Sequence, residues 1–109
     1  MGYVVDGTEL DADDQGYLLE PSFADEAVRV IALSEGIELS EGHWEVINVL
    51  REAYKTDGHT PNFRSLLKAM QACRPGIDSK QLYELFPLWP AKQGAKVAAL
   101  PQPLGKAGY

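Results

Sequence analysis

Over residues 40–54 the apolar side chains Trp44, Val46, Ile47, Val49, Leu50, Ala53 and Tyr54 recur at helical spacing in an unusually wide band. A helix of this kind must be heavily buried, so other segments have to cover it. The chain offers them in short pieces, each with a start and a stop signal. Ser22 predicts the cap of a first helix with Asp25 at its third position and Phe23, Ala27, Val30 and Ile31 on one face, ended by Gly36. Ser40 opens the wide-banded helix. Thr60-Pro61 predicts the start of a third, because proline at the first helical position loses no needed donor; Phe63, Leu66, Leu67 and Met70 then repeat at i, i+3, i+4 and i+7 until Pro75-Gly76. Ser79 predicts the cap of a fourth, with Leu82, Leu85 and Phe86, which Pro87 closes. Pro90 begins a fifth, running from 91 to about 99, whose Ala91, Ala95 and Ala98 are small enough for close approach to a neighbour.

The amino-terminal end reads differently. Tyr3-Val4-Val5 and Thr8-Glu9-Leu10 flank Asp6-Gly7, a pair that tolerates the positive φ angles of a two-residue reversal, so a β-hairpin is expected. The acidic stretch from Asp11 to Gly16 superficially matches a calcium loop. Its twelfth position falls on Ser22 instead of a bidentate glutamate, and no helix precedes it, which excludes that reading. The expected architecture is mainly α: a small orthogonal bundle of about five helices with an amino-terminal hairpin. Residues 1–99 form the domain, and residues 100–109, with two prolines and two glycines, form a flexible carboxy-terminal arm.

Composition narrows the function classes. At 109 residues the chain supports one modest core, burying roughly 65% of its extended surface, and needs no disulfides. The single Cys73 excludes an internal disulfide and multi-cysteine zinc sites. No apolar run approaches a membrane span and the first residues show no signal-peptide pattern, so a cytoplasmic protein is expected. The net charge of −6 is unevenly spread: residues 1–50 carry one basic side chain, Arg29, against twelve acidic ones, whereas residues 51–109 carry nine against four. That polarity suits an anionic partner at one end, although solvated faces explain it as well.

Catalytic constellations are missing. His43 and His59 lack metal-ligand spacing, and His43, in a first helical turn beside Trp44, reads as a capping or packing residue. Cys73 follows Met70 by three positions, continuing an apolar stripe, and is expected to be buried and unreactive. No glycine-rich phosphate loop occurs. The second and third helices, joined over residues 56–60, fit a helix-turn-helix, with Arg64 and Lys68 on one side and Arg51 and Lys55 nearby to meet phosphates. Helix pairs of this kind are common in any bundle, and Lys55 and Arg74 suit the helix dipole alone, so nucleic-acid binding is the weaker reading.

The stretch from Glu35-Gly36-Ile37 through Ser40-Glu41-Gly42-His43-Trp44 to Arg51-Glu52-Ala53-Tyr54 resembles the central signature of the DsrC/TusE sulfur-relay family. Asp6-Gly7, Asp14-Gln15-Gly16-Tyr17-Leu18, Pro61-Asn62-Phe63-Arg64, Leu82-Tyr83-Glu84-Leu85-Phe86-Pro87, Pro90-Ala91-Lys92 and Leu100-Pro101-Gln102-Pro103 match in the same order, so the resemblance spans nearly the whole chain. It implies a small helical fold with an amino-terminal hairpin and a carboxy-terminal arm. It also implies a sulfur carrier rather than an enzyme, with a penultimate cysteine that accepts sulfur as a persulfide and, in many members, a second cysteine about ten residues earlier. One branch looks to dissimilatory sulfite reductase as partner and the other to the tRNA-thiolating relay; neither has a cofactor of its own, and none is expected here.

This chain departs from the pattern where sulfur would sit. Ala95 falls at the earlier cysteine position and Lys106 at the later one, followed by Ala107, Gly108 and Tyr109. The expectation is therefore a relay-family protein that has lost its carrier thiols and acts as a regulatory or partner-binding protein, through Arg51, Lys55, Arg64 and Lys68 on its surface and Lys106 and Tyr109 on its arm. The alternatives are a relay through another thiol, which could only be Cys73, and a stable subunit of a sulfite-reductase-like complex.

Overall fold

The computed structural model describes residues 2–103. Two strands, β1 (Gly2–Val5) and β2 (Thr8–Asp11), pair antiparallel with Val5 opposite Thr8 and Gly2 opposite Asp11. The turn between them has φ of 51° at Asp6 and 80° at Gly7, both in the left-handed region that this residue pair accepts and that matches the twist of a hairpin. Helix α1 (Asp25–Ser34) follows and stops where Gly36 takes φ 72°, with the Ile37 N–H returning to the Ala32 carbonyl at 2.9 Å. Helix α2 (Glu41–Asp57) is the longest and ends on a left-handed Gly58. Helices α3 (Phe63–Cys73) and α4 (Ser79–Leu85) come next, then a π-helical turn over Trp89–Gln93 that runs into the short α5 (Gly94–Val97).

The core gathers one face from every helix: Val28 and Ile31 of α1, Val46, Ile47 and Leu50 of α2, Leu66 and Met70 of α3, Leu82 of α4, and Phe86 and Val97 beyond it. Each such side chain contributes about 1.5–3 kcal/mol by leaving water. Helix α5 reaches the centre because Gly94 lets it: a Cβ there would stand 3.0 Å from a Leu50 methyl and 3.7 Å from one of Val46. The mainly α bundle with its hairpin is thus the architecture the sequence predicts.

Several details differ from the expectation. Helix α1 starts two residues late, at Asp25, capped by no side chain; Ser22 instead accepts from the Ala24 N–H, leaving Phe23 outside the helix and exposed. Asn62, not Thr60-Pro61, opens α3 by accepting from the Ser65 N–H at 2.9 Å. Asp78, not Ser79, opens α4 by accepting from Gln81 N–H, while the Gln81 side chain accepts the Asp78 N–H.

The boundary of the arm also moves. Leu100, expected as its first residue, is fully buried; its N–H donates to the Ala95 carbonyl at 3.1 Å. The Ala99 carbonyl accepts from Ser22 N–H at 2.9 Å, and the Gln102 amide donates to the Gln15 side chain at 2.8 Å. Residues 100–103 therefore belong to the body of the protein, and the rest of the expected arm lies outside the described residues.

Candidate functional site

Of the two positions where the resemblance implies cysteine, Ala95 lies in α5 and is completely buried, one turn after Ala91. Lys106, with Tyr109, lies outside the described residues. The one thiol of the chain is elsewhere: Cys73 is the last residue of α3 and is exposed, contrary to the burial its spacing from Met70 suggests. Three residues advance a helix by 300°, which carries Cys73 off the line of Leu66 and Met70 toward the edge of the buried face. There it lines an open groove of about 680 Å³ between α2 and α3, with Val49, Ala53, Ala69 and Pro61. At the Cys73 end, Arg74 joins Glu45 of α2 at 2.7 Å.

The four predicted surface cations do not form one patch. Arg51 is buried, with only 10% of its side chain exposed; it bonds Asp25 at 2.8 Å and its guanidinium lies 5.8 Å from the centre of the Trp44 ring. Its Nε and second Nη make no hydrogen bond among the described residues. Arg51 therefore fastens α2 to the first turn of α1 and is removed from the set available to a partner. Lys55 lies 3.6 Å from Glu52 and stacks 4.9 Å from the Phe23 ring. Arg64 and Lys68 are exposed on successive turns of α3, as their spacing requires.

His43 fills the capping role expected of it. Its Nδ1 accepts the Ser40 N–H at 3.0 Å and lies 2.7 Å from the Ser40 hydroxyl; the other nitrogen then carries the proton and donates to the Leu85 carbonyl at 2.9 Å. One neutral imidazole thus ties the start of α2 to the end of α4.

Sequence reasoning missed a polar cluster beneath the base of the arm. Glu35 at the end of α1 receives Gln93 at 3.3 Å and Lys96 at 3.6 Å, and Gln93 also accepts the Leu88 N–H at 3.0 Å. Lys96 sits 5.2 Å from the Tyr17 ring, and the Tyr3 hydroxyl donates to the Gly16 carbonyl at 2.7 Å. Burial, reinforced by the carboxylates of Asp13 and Glu35, pushes the Tyr17 hydroxyl up to about 12. Burial is also the main cause that raises Tyr3. The cluster joins the loop after the hairpin, α1 and α5 where the chain leaves for residues 100–103. The one signal in the sequence was that Glu35, Tyr17 and Gly16 lie inside family landmarks.

Among the described residues no group of His, Cys, Asp and Glu is arranged to hold a metal, and no helix is long and apolar enough to cross a membrane. The acidic loop is used internally, Asp13 accepting the N–H groups of Gln15 and Tyr17.

Comparison with known proteins agrees with this geometry. The sulfurtransferase TusE of Salmonella paratyphi A is 46% identical over 105 residues, covering 93% of this chain and 95% of that protein. The solution structure of DsrC from Allochromatium vinosum superposes with a TM-score of 0.84 at 39% identity, covering 94% of this chain and 95% of that one. The oxidized gamma-subunit of dissimilatory sulfite reductase from Archaeoglobus fulgidus gives a TM-score of 0.86 at 32% identity, covering 96% and 99%. A family model described as DsrC like protein matches residues 4–106, and with that match the chain belongs to the DsrC-like family.

Proposed function

We propose that this chain is a DsrC/TusE-like protein that keeps the family's partner-binding body and has given up carrying sulfur, acting as a regulator of a sulfur-relay or sulfite-reductase-like complex. The observation that carries the proposal is that Cys73 is the one cysteine of the sequence, with Ala95 and Lys106 standing where the family resemblance implies the two carrier cysteines. Sulfur transfer needs a thiolate that attacks, or is attacked at, a sulfane sulfur, and neither a methyl group nor an ammonium can form that bond. The burial of Ala95 supports the same reading, because nothing at that position reaches solvent.

Relay through Cys73 is the second reading, and the exposure of that thiol speaks for it. Against it stands the place of Cys73 on a helix packed into the core through Leu66 and Met70, which cannot extend into a partner as a chain end can. Incubation with a persulfide donor followed by intact mass measurement separates the readings. The proposal expects no gain; a gain of about 32 Da that Cys73→Ser abolishes overturns it in favour of the relay. A second measurement addresses regulation: added to a relay reconstituted from a cysteine-bearing relative, the chain should slow sulfur transfer without acquiring mass. No effect on the rate at any excess removes the regulatory role. Lys106→Cys should restore persulfide uptake if the body is otherwise intact, seen by the same mass shift.

A further inference from the structure

The groove between α2 and α3 is open to solvent along both helices. Ser65, Ala69 and Cys73 lie on one line down α3 at i, i+4 and i+8, opposite Val49 and Ala53 of α2. None is bulky, so a second backbone can come close. The line is about 12 Å long, slightly more than two helical turns. Both walls are helices whose N–H and C=O groups are already bonded within the helix, so an extended peptide laid along them finds no main-chain partner, whereas a helix brings its own.

Charge describes the occupant further. Glu45, Glu52 and Asp57 line the α2 side. Arg74 answers Glu45, Lys55 of the same helix stands 3.6 Å from Glu52, and Asp57 has no ion-pair partner among the described residues. An apolar floor beneath a rim whose one unpaired charge among the described residues is Asp57 matches a helix that brings a cation to that end.

We propose that this groove is the docking site for an amphipathic helix of a partner protein, two to three turns long, with small and branched apolar residues on one face and Lys or Arg beside them facing Asp57. This rests on the partner-binding reading above and gives the partner's chemistry.

The test uses the isotope-labelled full chain and a synthetic helical peptide of about 14 residues, with Leu and Ala at i, i+3, i+4 and i+7 and Lys on both flanks, beside a version with Glu for Lys. Saturable shifts of the amide signals of Val49, Ala53, Ala69 and Cys73 are expected with the Lys peptide. The Glu peptide should bind about tenfold more weakly at low salt, a gap that narrows as salt is added. Ala69→Trp should fill the groove and abolish the shifts. Should that variant fail to fold, Glu52→Lys with Asp57→Lys, both at the surface, should weaken the Lys peptide and strengthen the Glu peptide. The proposal is overturned by shifts that map elsewhere, by equal binding of the two peptides, or by anilinonaphthalene sulfonate held in the groove and not displaced by peptide. Failure here leaves the non-carrier reading standing, while persulfide on Cys73 would remove that reading and leave this result untouched.

Discussion

Arg51 shows how far a single side chain can stray from what its neighbours in sequence suggest. Beside Lys55 and a turn from Arg64, it reads as a surface cation; in three dimensions it is the buried clasp between α2 and α1. The pattern could not reveal this, because the deciding partners, Asp25 and Trp44, come from a different helix and from two turns earlier. Two of its nitrogens are without hydrogen bonds among the described residues, and Asp25 is itself half exposed, so the charge adds little and the packing of the stem adds most. Arg51→Ala should therefore cost about 2 kcal/mol in denaturant unfolding, whereas Arg51→Met should be nearly neutral. Tyr17 supplies a second test at this scale. Its hydroxyl is raised from 10.0 to about 12, so folding favours the protonated form; that contribution is fully present below pH 10 and is lost as pH rises through 12. Stability followed by circular dichroism should fall across this window, and Tyr17→Phe should remove much of the fall, with Tyr3 contributing the remainder.

At the scale of elements, apolar periodicity found all five helices and the Asp6-Gly7 turn found the hairpin, because each signal is local and repeats along the chain. The starts were less legible. Ser22, Pro61 and Ser79 are all competent helix openers, yet each stands one or two residues from the position the fold uses, where Asn62 and Asp78 satisfy the N–H groups of α3 and α4 and α1 goes uncapped. Which of two adjacent competent residues takes the cap depends on how the preceding loop is held. The distinction is measurable: Asp78→Ala should lower stability by about 1 kcal/mol, and Ser79→Ala by a few tenths at most, in thermal melts. Cys73 was misread for a related reason. An i, i+3 step leads to the margin of a buried face as readily as to its middle, and only the position of α2 decides that the margin is open groove.

For the molecule as a whole, the division between body and arm has the largest consequences. Pro101 and Pro103 signal a chain that leaves its last helix, and the signal is correct about the helix but not about the body, since Leu100 is a core residue and Gln102 bonds back to Gln15. Truncation after Ala99 removes Leu100 and should cost about 2–3 kcal/mol, a fall of roughly 10 °C in a melt. The polar cluster around Glu35, Gln93 and Lys96 was not legible in the sequence, because it assembles from segments about sixty residues apart.

The bonds from Ser22 to Ala99 and from Gln15 to Gln102 stitch the exit of the chain to the loop behind its first hairpin. A pull on the chain at Pro103 would thus be felt first at Gln15, near the opposite end of the polypeptide, before it reached Leu100 and the last helix.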